Sequence, residues 1–252
     1  FDDAKIASRE LQLALTGKNA GAEEKVPMCG VPHHAIQSYI SKLIQRGYKV
    51  GIVEQLEDPA LAKGIVERDV VQIITPGANM NLADSDNNYI VAVDETDLNY
   101  VIAYADLSTG ETNVMNVEHD LTSLISELDN LLTREIVVSS NFSKDTLEEI
   151  TNKRKILVSY EDDDQIELEF EDLLSEVQDL YQMKAVVRLL HYLRRTQKRE
   201  LDYFQQVHVI KSYRTLQIDS FSRLNLELVR TIRSEEKYGS LYWLLDHTKT
   251  AM

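Results

Sequence analysis

Residues 88–118 read NYIVAVDETDLNYVIAYADLSTGETNVMNVE. Three apolar runs are separated by two turns. Asp97 and Asn99 lie in the first turn, and Ser108-Thr109-Gly110 marks the second. The pattern predicts three strands in a meander. Downstream, DLTSLISELDNLL (120–132) predicts a helix with Asp120 as its N-cap. EIVVSS (135–140) predicts a short buried strand, KDTLEEITNKR (144–154) a second helix and ILVSYE (156–161) a further strand.

A meander followed by alternating helix and strand is the order of an RNase H-like domain, here over 88–160. Upstream, DDAKIASRELQLALTG predicts a helix that Gly17 ends. The proline-bracketed loop VPMCGVPHHA (26–35) then leads into AIQSYISKLIQRG, an amphipathic helix ending at Gly47. YKVGIVEQ and VERDVVQIITPG read as strands. Between them Asp58 caps a single helical turn that starts at Pro59 and closes at Gly64. Residues 1–78 thus form a small mixed α/β domain, and the polar residues 79–87 a linker. Residues 161–182 read as an acidic, solvated and partly helical connection. Residues 183–252 read as wholly helical, through MKAVVRLLHYLRRTQ, DSFSRLNLELVRTIRS and YGSLYWLLDHTKTAM. The whole is a multidomain α/β protein.

The 252 residues are 43% hydrophobic and 27% charged, enough apolar material for real cores. No apolar run reaches the roughly 18 residues of a membrane span. Nothing resembles a secretory leader, and a single cysteine, Cys29, suits a reducing, cytoplasmic setting. The start at Phe1 and the stop at Ala251-Met252 read as a piece of a longer protein. Net charge is −15, which alone argues against nucleic acid. The average hides a partition. Residues 1–78 hold 9 Lys+Arg against 10 Asp+Glu (−1), residues 79–182 hold 5 against 25 (−20), and residues 183–252 hold 13 against 7 (+6).

Cys29, His33 and His34 raise a zinc or nucleophile site. Zinc needs three or four ligands, adjacent histidines in an extended segment point apart, and the other histidines lie in other segments. No strand–nucleophile–helix setting surrounds the cysteine, so the stretch reads as a tight loop and no metal or catalytic residue is assigned. Asp94 and Asp106 raise the alternative of a metal-dependent nuclease, because carboxylates on the first strands of such a fold can hold metal ions. Both positions are also ordinary ones for acids near turns. Arg188, Arg194, Arg195, Lys198 and Arg199, with Arg223, Arg230 and Arg233 further on, are either a solvated helix face or a set of duplex-backbone contacts. No G-x-x-x-x-G-K-[S/T] phosphate loop occurs.

Several of these stretches together resemble the MutS family of DNA mismatch-recognition ATPases. The resemblance runs through PMCGVPHHA and YISKLIQRGYKV, VEQLEDPALAKGIVERDVVQIITPG, QKRELDYFQ, IDSFSRLNLEL and YGSLYWLLDHTKTAM. It implies a mismatch-binding domain over 1–78, a connector domain over 88–160 and the start of a helical core and lever domain over 183–252. It implies binding of duplex DNA with mispaired bases or small loops, by a kink and an aromatic wedge from the minor groove. The wedge motif, Phe-x-Glu within GDFYExF, falls before Phe1. The resemblance further implies a homodimer in the full-length protein and a MutL partner docking on the connector. ATP and Mg²⁺ belong to a C-terminal domain outside these residues, so no cofactor is expected here. Carried over residue by residue, the DNA contacts are Thr16 and Lys18 at the end of the first helix, Met28 against the minor groove, and His34 and Gln72 on the same surface. Gln72 stands where many relatives place a basic residue. A module that docks MutL is the remaining alternative, which the acidic middle segment favours.

Overall fold

The computed structural model describes residues 2–19, 25–58, 64, 66–78, 88–152, 154–198, 201–211, 218–234 and 236–248. They divide into two units, Phe1–Asn81 and Leu82–Met252.

In the first unit helix α1 (Asp2–Leu11) opens with Asp2 and Asp3 and closes with Arg9 in its last turn, charges that complement the helix dipole. It ends earlier than the periodicity predicts. Gln12 takes a left-handed φ of 55°, and the Leu13 amide donates back to the Ser8 carbonyl at 3.0 Å. This is a Schellman closure built on Gln rather than the usual Gly. Thr16, Gly17 and Lys18 therefore leave the helix and form β1 (Thr16–Lys18), antiparallel to β2 (Val26–Met28). A 3-10 turn at His33–Ala35 leads into α2 (Ile36–Gln45), which Gly47 terminates at φ 83°. β3 (Val50–Gln55) and β4 (Arg68–Ile74) pair antiparallel, from Val50 opposite Ile74 to Gln55 opposite Arg68. The stripe Ile36, Ile40 and Ile44 of α2 packs against Val50, Ile52 and Ile74 of that hairpin. Arg46, just after α2, reaches the Glu10 carboxylate of α1 at 2.8 Å. Of the predicted turn at 58–64, residues 59–63 lie outside the described residues, as does the linker 79–87.

The second unit realises the meander. β5 (Tyr89–Glu95), β6 (Asn99–Asp106) and β7 (Thr112–Glu118) run antiparallel in succession. Helix α3 (Leu121–Asn130) follows, its Asp120 cap accepting from the Ser123 amide at 2.9 Å. β8 (Glu135–Val138), α4 (Lys144–Thr151) and β9 (Leu157–Tyr160) come next, with β8 parallel to β5 and β9 parallel to β8. Helix α5 (Leu180–Gln197) is capped by Asp179. β10 (His208–Ile210) joins β7 in parallel, completing a six-stranded sheet of order β10-β7-β6-β5-β8-β9. Two short helices, α6 (Ser220–Asn225) and α7 (Leu241–Leu245), follow.

Strand alternation sorts the side chains into two buried layers. Val91, Val93, Tyr100, Ile102, Tyr104, Ile136 and Val138 meet Leu124 and Leu128 of α3 and Ile150 of α4. The small residues Ala92, Ala103 and Ala105 point the other way and are fully buried. On that face α5 packs against β5 and β6, with 12 of its 18 residues buried, so it is a core helix.

Three expectations for the C-terminal part need correction. Residues 183–252 are not wholly helical, since β10 extends the sheet. The helix predicted over 219–234 stops at Asn225, and Glu227 adopts φ 50°. Nor is α5 separate from 88–160, because it covers that domain's sheet. Among the described residues no helix is long and apolar enough to cross a membrane.

Candidate nucleic-acid interface

The β1–β2 ribbon brings together three of the five residues singled out. Thr16 stands opposite Met28 and Lys18 opposite Val26. Directly opposed residues and residues two apart share a face, so Thr16, Lys18, Val26 and Met28 line one side of the ribbon. Gly17 and Pro27 occupy the other. The Thr16 hydroxyl donates to the Met28 carbonyl at 2.9 Å, tying the strands at the point where Met28 emerges. Met28 is 46% exposed, an apolar side chain beside a lysine. Gly17 is required by close approach, since a Cβ there would stand 2.8 Å from the Lys25 Cβ. Lys25 was not singled out by the sequence, and its place directly before Val26-Pro27-Met28 is the signal that marks it. The ribbon stretches 16–18 and 25–28 thus carry two lysines and no acid.

His33 and His34 both lie in the exposed 3-10 turn that follows the ribbon, and Cys29 precedes it as a loop residue. Gln72 is on β4, opposite Ile52, in a separate two-stranded sheet. Thr16 and Lys18 sit on a strand, not at a helix end, for the reason given by the Gln12 closure.

The rival sites resolve differently. Asp94 lies at the end of β5, while Asp106 is opposite Tyr89 at the other end of that strand. Five residues of strand separate them, about 17 Å, where a two-metal centre needs ions roughly 4 Å apart. Alternation also puts them on opposite faces of the sheet. Each is already engaged. Asp94 pairs with Arg188 at 2.9 Å. Asp106 is buried and accepts from the Ser108 amide at 2.7 Å, the Ser108 hydroxyl at 2.6 Å and the Asn88 amide at 3.2 Å. No nuclease centre can form from this pair.

Arg188, Arg194 and Arg195 of α5 are ion-paired, Arg188 buried and Arg195 still exposed, and Arg199 lies outside the described residues. Arg188 also donates to the Glu161 carbonyl at 2.6 Å. Arg194 pairs with Glu167 at 2.9 Å and with Glu169, and Arg195 pairs with Glu161 at 2.9 Å. The acidic stretch 161–169 is solvated and is also tied down as a strap across α5, and Arg194 holds the Glu167 carboxyl down at about 2, well below the ordinary value. Asp163, Glu167 and His191 offer ligand atoms within 4.8 Å of one another. His191 has both ring nitrogens engaged, Nε2 with the Gln165 carbonyl at 3.1 Å and Nδ1 with the Arg194 guanidinium at 2.9 Å. An arginine directed at the same nitrogen opposes a cation there.

Comparison with known proteins bears on both units. Residues 1–83 match the family model for MutS domain I, and residues 88–205 match that for MutS domain II. The chain belongs to the MutS family. The curated MutS proteins it resembles include those of Bacillus pumilus (46% identical over 256 residues) and of Bacillus mycoides and Bacillus cereus (44% each), all named DNA mismatch repair protein MutS. All of this chain is covered in each case, and 29% of the relative's length. The ribbon falls within MutS domain I. MutS domain II takes in β5 to β9 together with α5, and ends before β10.

Proposed function

We propose that this chain is the lesion-contacting and partner-docking part of a DNA mismatch repair protein. The observation that carries the reading is the ribbon face, which sets exposed Met28 and Thr16 beside Lys18 within MutS domain I. An apolar side chain on a narrow two-stranded ribbon can lie along sugar and base edges in the minor groove of a kinked duplex. Lys18 supplies charge toward the backbone, positioning the unit without reading sequence. His34 and Gln72 are assigned to the same DNA-facing surface. A mispaired step is easier to kink than a paired one, so deformation energy provides the discrimination.

The second unit carries a different task. Its strand order, a meander with two further parallel strands beside β5, supports an RNase H-like connector with no nuclease chemistry. The strongly acidic composition of 79–182 suits a protein partner such as MutL better than DNA. ATP hydrolysis with Mg²⁺, and homodimer formation, belong to the length of the relatives beyond these residues. No phosphate loop of the usual spacing lies within them.

The reading is tested by grafting the chain in place of the matching segment of the Bacillus pumilus relative. Binding to G·T, single-base-loop and homoduplex oligonucleotides is then compared. Preference for the first two is expected. Lys18→Ala should weaken binding to all three and make the salt slope shallower by about one unit. Equal affinity of the graft for mismatched and paired duplex would sink the proposal.

A further inference from the structure

Residues 79–182 hold 25 acidic side chains and only 5 basic ones. Three of those five, Arg134, Arg154 and Lys155, line a single depression of about 280 Å³, joined by Arg230. It opens between the end of α3, the start of β8 and the turn from α4 to β9. In the strap of the same unit Arg188, Arg194 and Arg195 each meet an acid. Here only Arg154 is neutralised. Its Nε and Nη2 each donate to an oxygen of Asp129 at 2.9 Å. Among the described residues Arg134, Lys155 and Arg230 make no ion pair. The wall contributes one more group, Thr133, whose buried hydroxyl has no hydrogen-bond partner among the described residues.

Three exposed cations without an acid partner around one hollow make a local positive field in an otherwise acidic unit, which attracts an anion. We propose that this depression binds a phosphate-class oxyanion. Arg134 and Arg230 offer planar forks that match phosphate oxygens, and Lys155 a point charge. Asp129 holds the Arg154 fork in one orientation at the rim, and Thr133 brings a hydroxyl without a competing partner. The site does not depend on the mismatch-contacting role of the first unit. The oxyanion can come from free phosphate or from a nucleic-acid backbone, since the chemistry is shared.

The 252-residue chain is titrated calorimetrically with inorganic phosphate and with pyrophosphate at constant ionic strength. A homoduplex oligonucleotide is followed by anisotropy in parallel. Saturable one-to-one binding of phosphate or pyrophosphate is expected, weakened on the order of tenfold in the R134Q/K155Q double variant. K144Q, which removes an exposed cation of α4 outside the hollow, should bind as the parent does. Neither Arg134 nor Lys155 makes an ion pair among the described residues, so the double variant keeps the fold, which circular dichroism verifies. If the double variant loses duplex affinity in step with phosphate, the anion is a backbone phosphate. If duplex binding is indifferent while phosphate binding falls, it is free phosphate, and either result upholds the site. No saturable binding of any of the three, or equal affinity in parent and double variant, overturns it.

Discussion

Replacing Arg188 with methionine probes the junction between α5 and the sheet. The Arg188 side chain is 6% exposed and its partner Asp94 16%, so the substitution leaves a carboxylate facing an apolar side chain out of water. Removing one partner of a buried pair costs 3–5 kcal/mol in general. The partial exposure of Asp94 places this case at the lower end, about 3 kcal/mol. For a unit of this size that lowers the melting temperature by roughly 6–12 °C. The loss depends on pH with a definite sign. Burial already raises the Asp94 carboxyl above its ordinary value, by more than Arg188 lowers it. The folded chain thus binds that proton more tightly than the unfolded chain. Above both pKa values Asp94 therefore subtracts from stability, and the deficit fades as pH falls through the folded value. Arg188→Met removes the lowering influence and widens the deficit. Urea unfolding near neutrality and at roughly pH 5 should show the variant recovering at the lower pH. Asp94→Asn combined with Arg188→Met should recover most of the loss at neutral pH. A single variant within about 1 kcal/mol of the parent, or a double variant no better than the single, would refute the argument.

Gly110→Ala should destabilise by on the order of 3 kcal/mol. Gly110 has φ 74°, and a Cβ there would run into the Tyr203 carbonyl and come within 3.1 Å of Phe204 Cα. Thermal melts will show it, and a loss under about 1 kcal/mol would mean that the 201–205 segment yields easily. Tyr192→Phe removes the hydroxyl that donates to fully buried Glu135 at 2.6 Å. A loss of about 2 kcal/mol is expected in urea unfolding, whereas an unchanged midpoint would show that Glu135 finds a replacement donor.

What was legible in the sequence was whatever had a strong local period. The meander showed itself through long β-branched and aromatic runs broken by Asp97, Asn99 and Gly110. α2 showed itself through the Ile36, Ile40, Ile44 stripe. The end of α1 was hidden because Gln12 takes the left-handed position normally marked by glycine, so Leu13 and Leu15 kept the helical spacing alive on paper. The ribbon was hidden too, since three-residue strands containing Gly17 and Pro27 carry no strand signal. β10 is equally short and draws its order from β7, a partner some 95 residues away. The strap is non-local in the same way. Its acids and the α5 arginines each look solvated until the chain folds them together. Of the candidate DNA-contact residues, spacing alone marked none. They came from family resemblance, and the structure then placed Thr16, Lys18 and Met28 on one face.

The three residues of β10 also act as a guard. β7 would otherwise present its backbone at Asn113, Val114 and Met115 along an outer edge of the sheet, a template for pairing with another chain. The MutS domain II match ends at residue 205, before that guard begins at His208. A domain excised at the family boundary would therefore carry a raw edge that the longer chain keeps covered. Its tendency to self-associate would come from the cut and not from the fold.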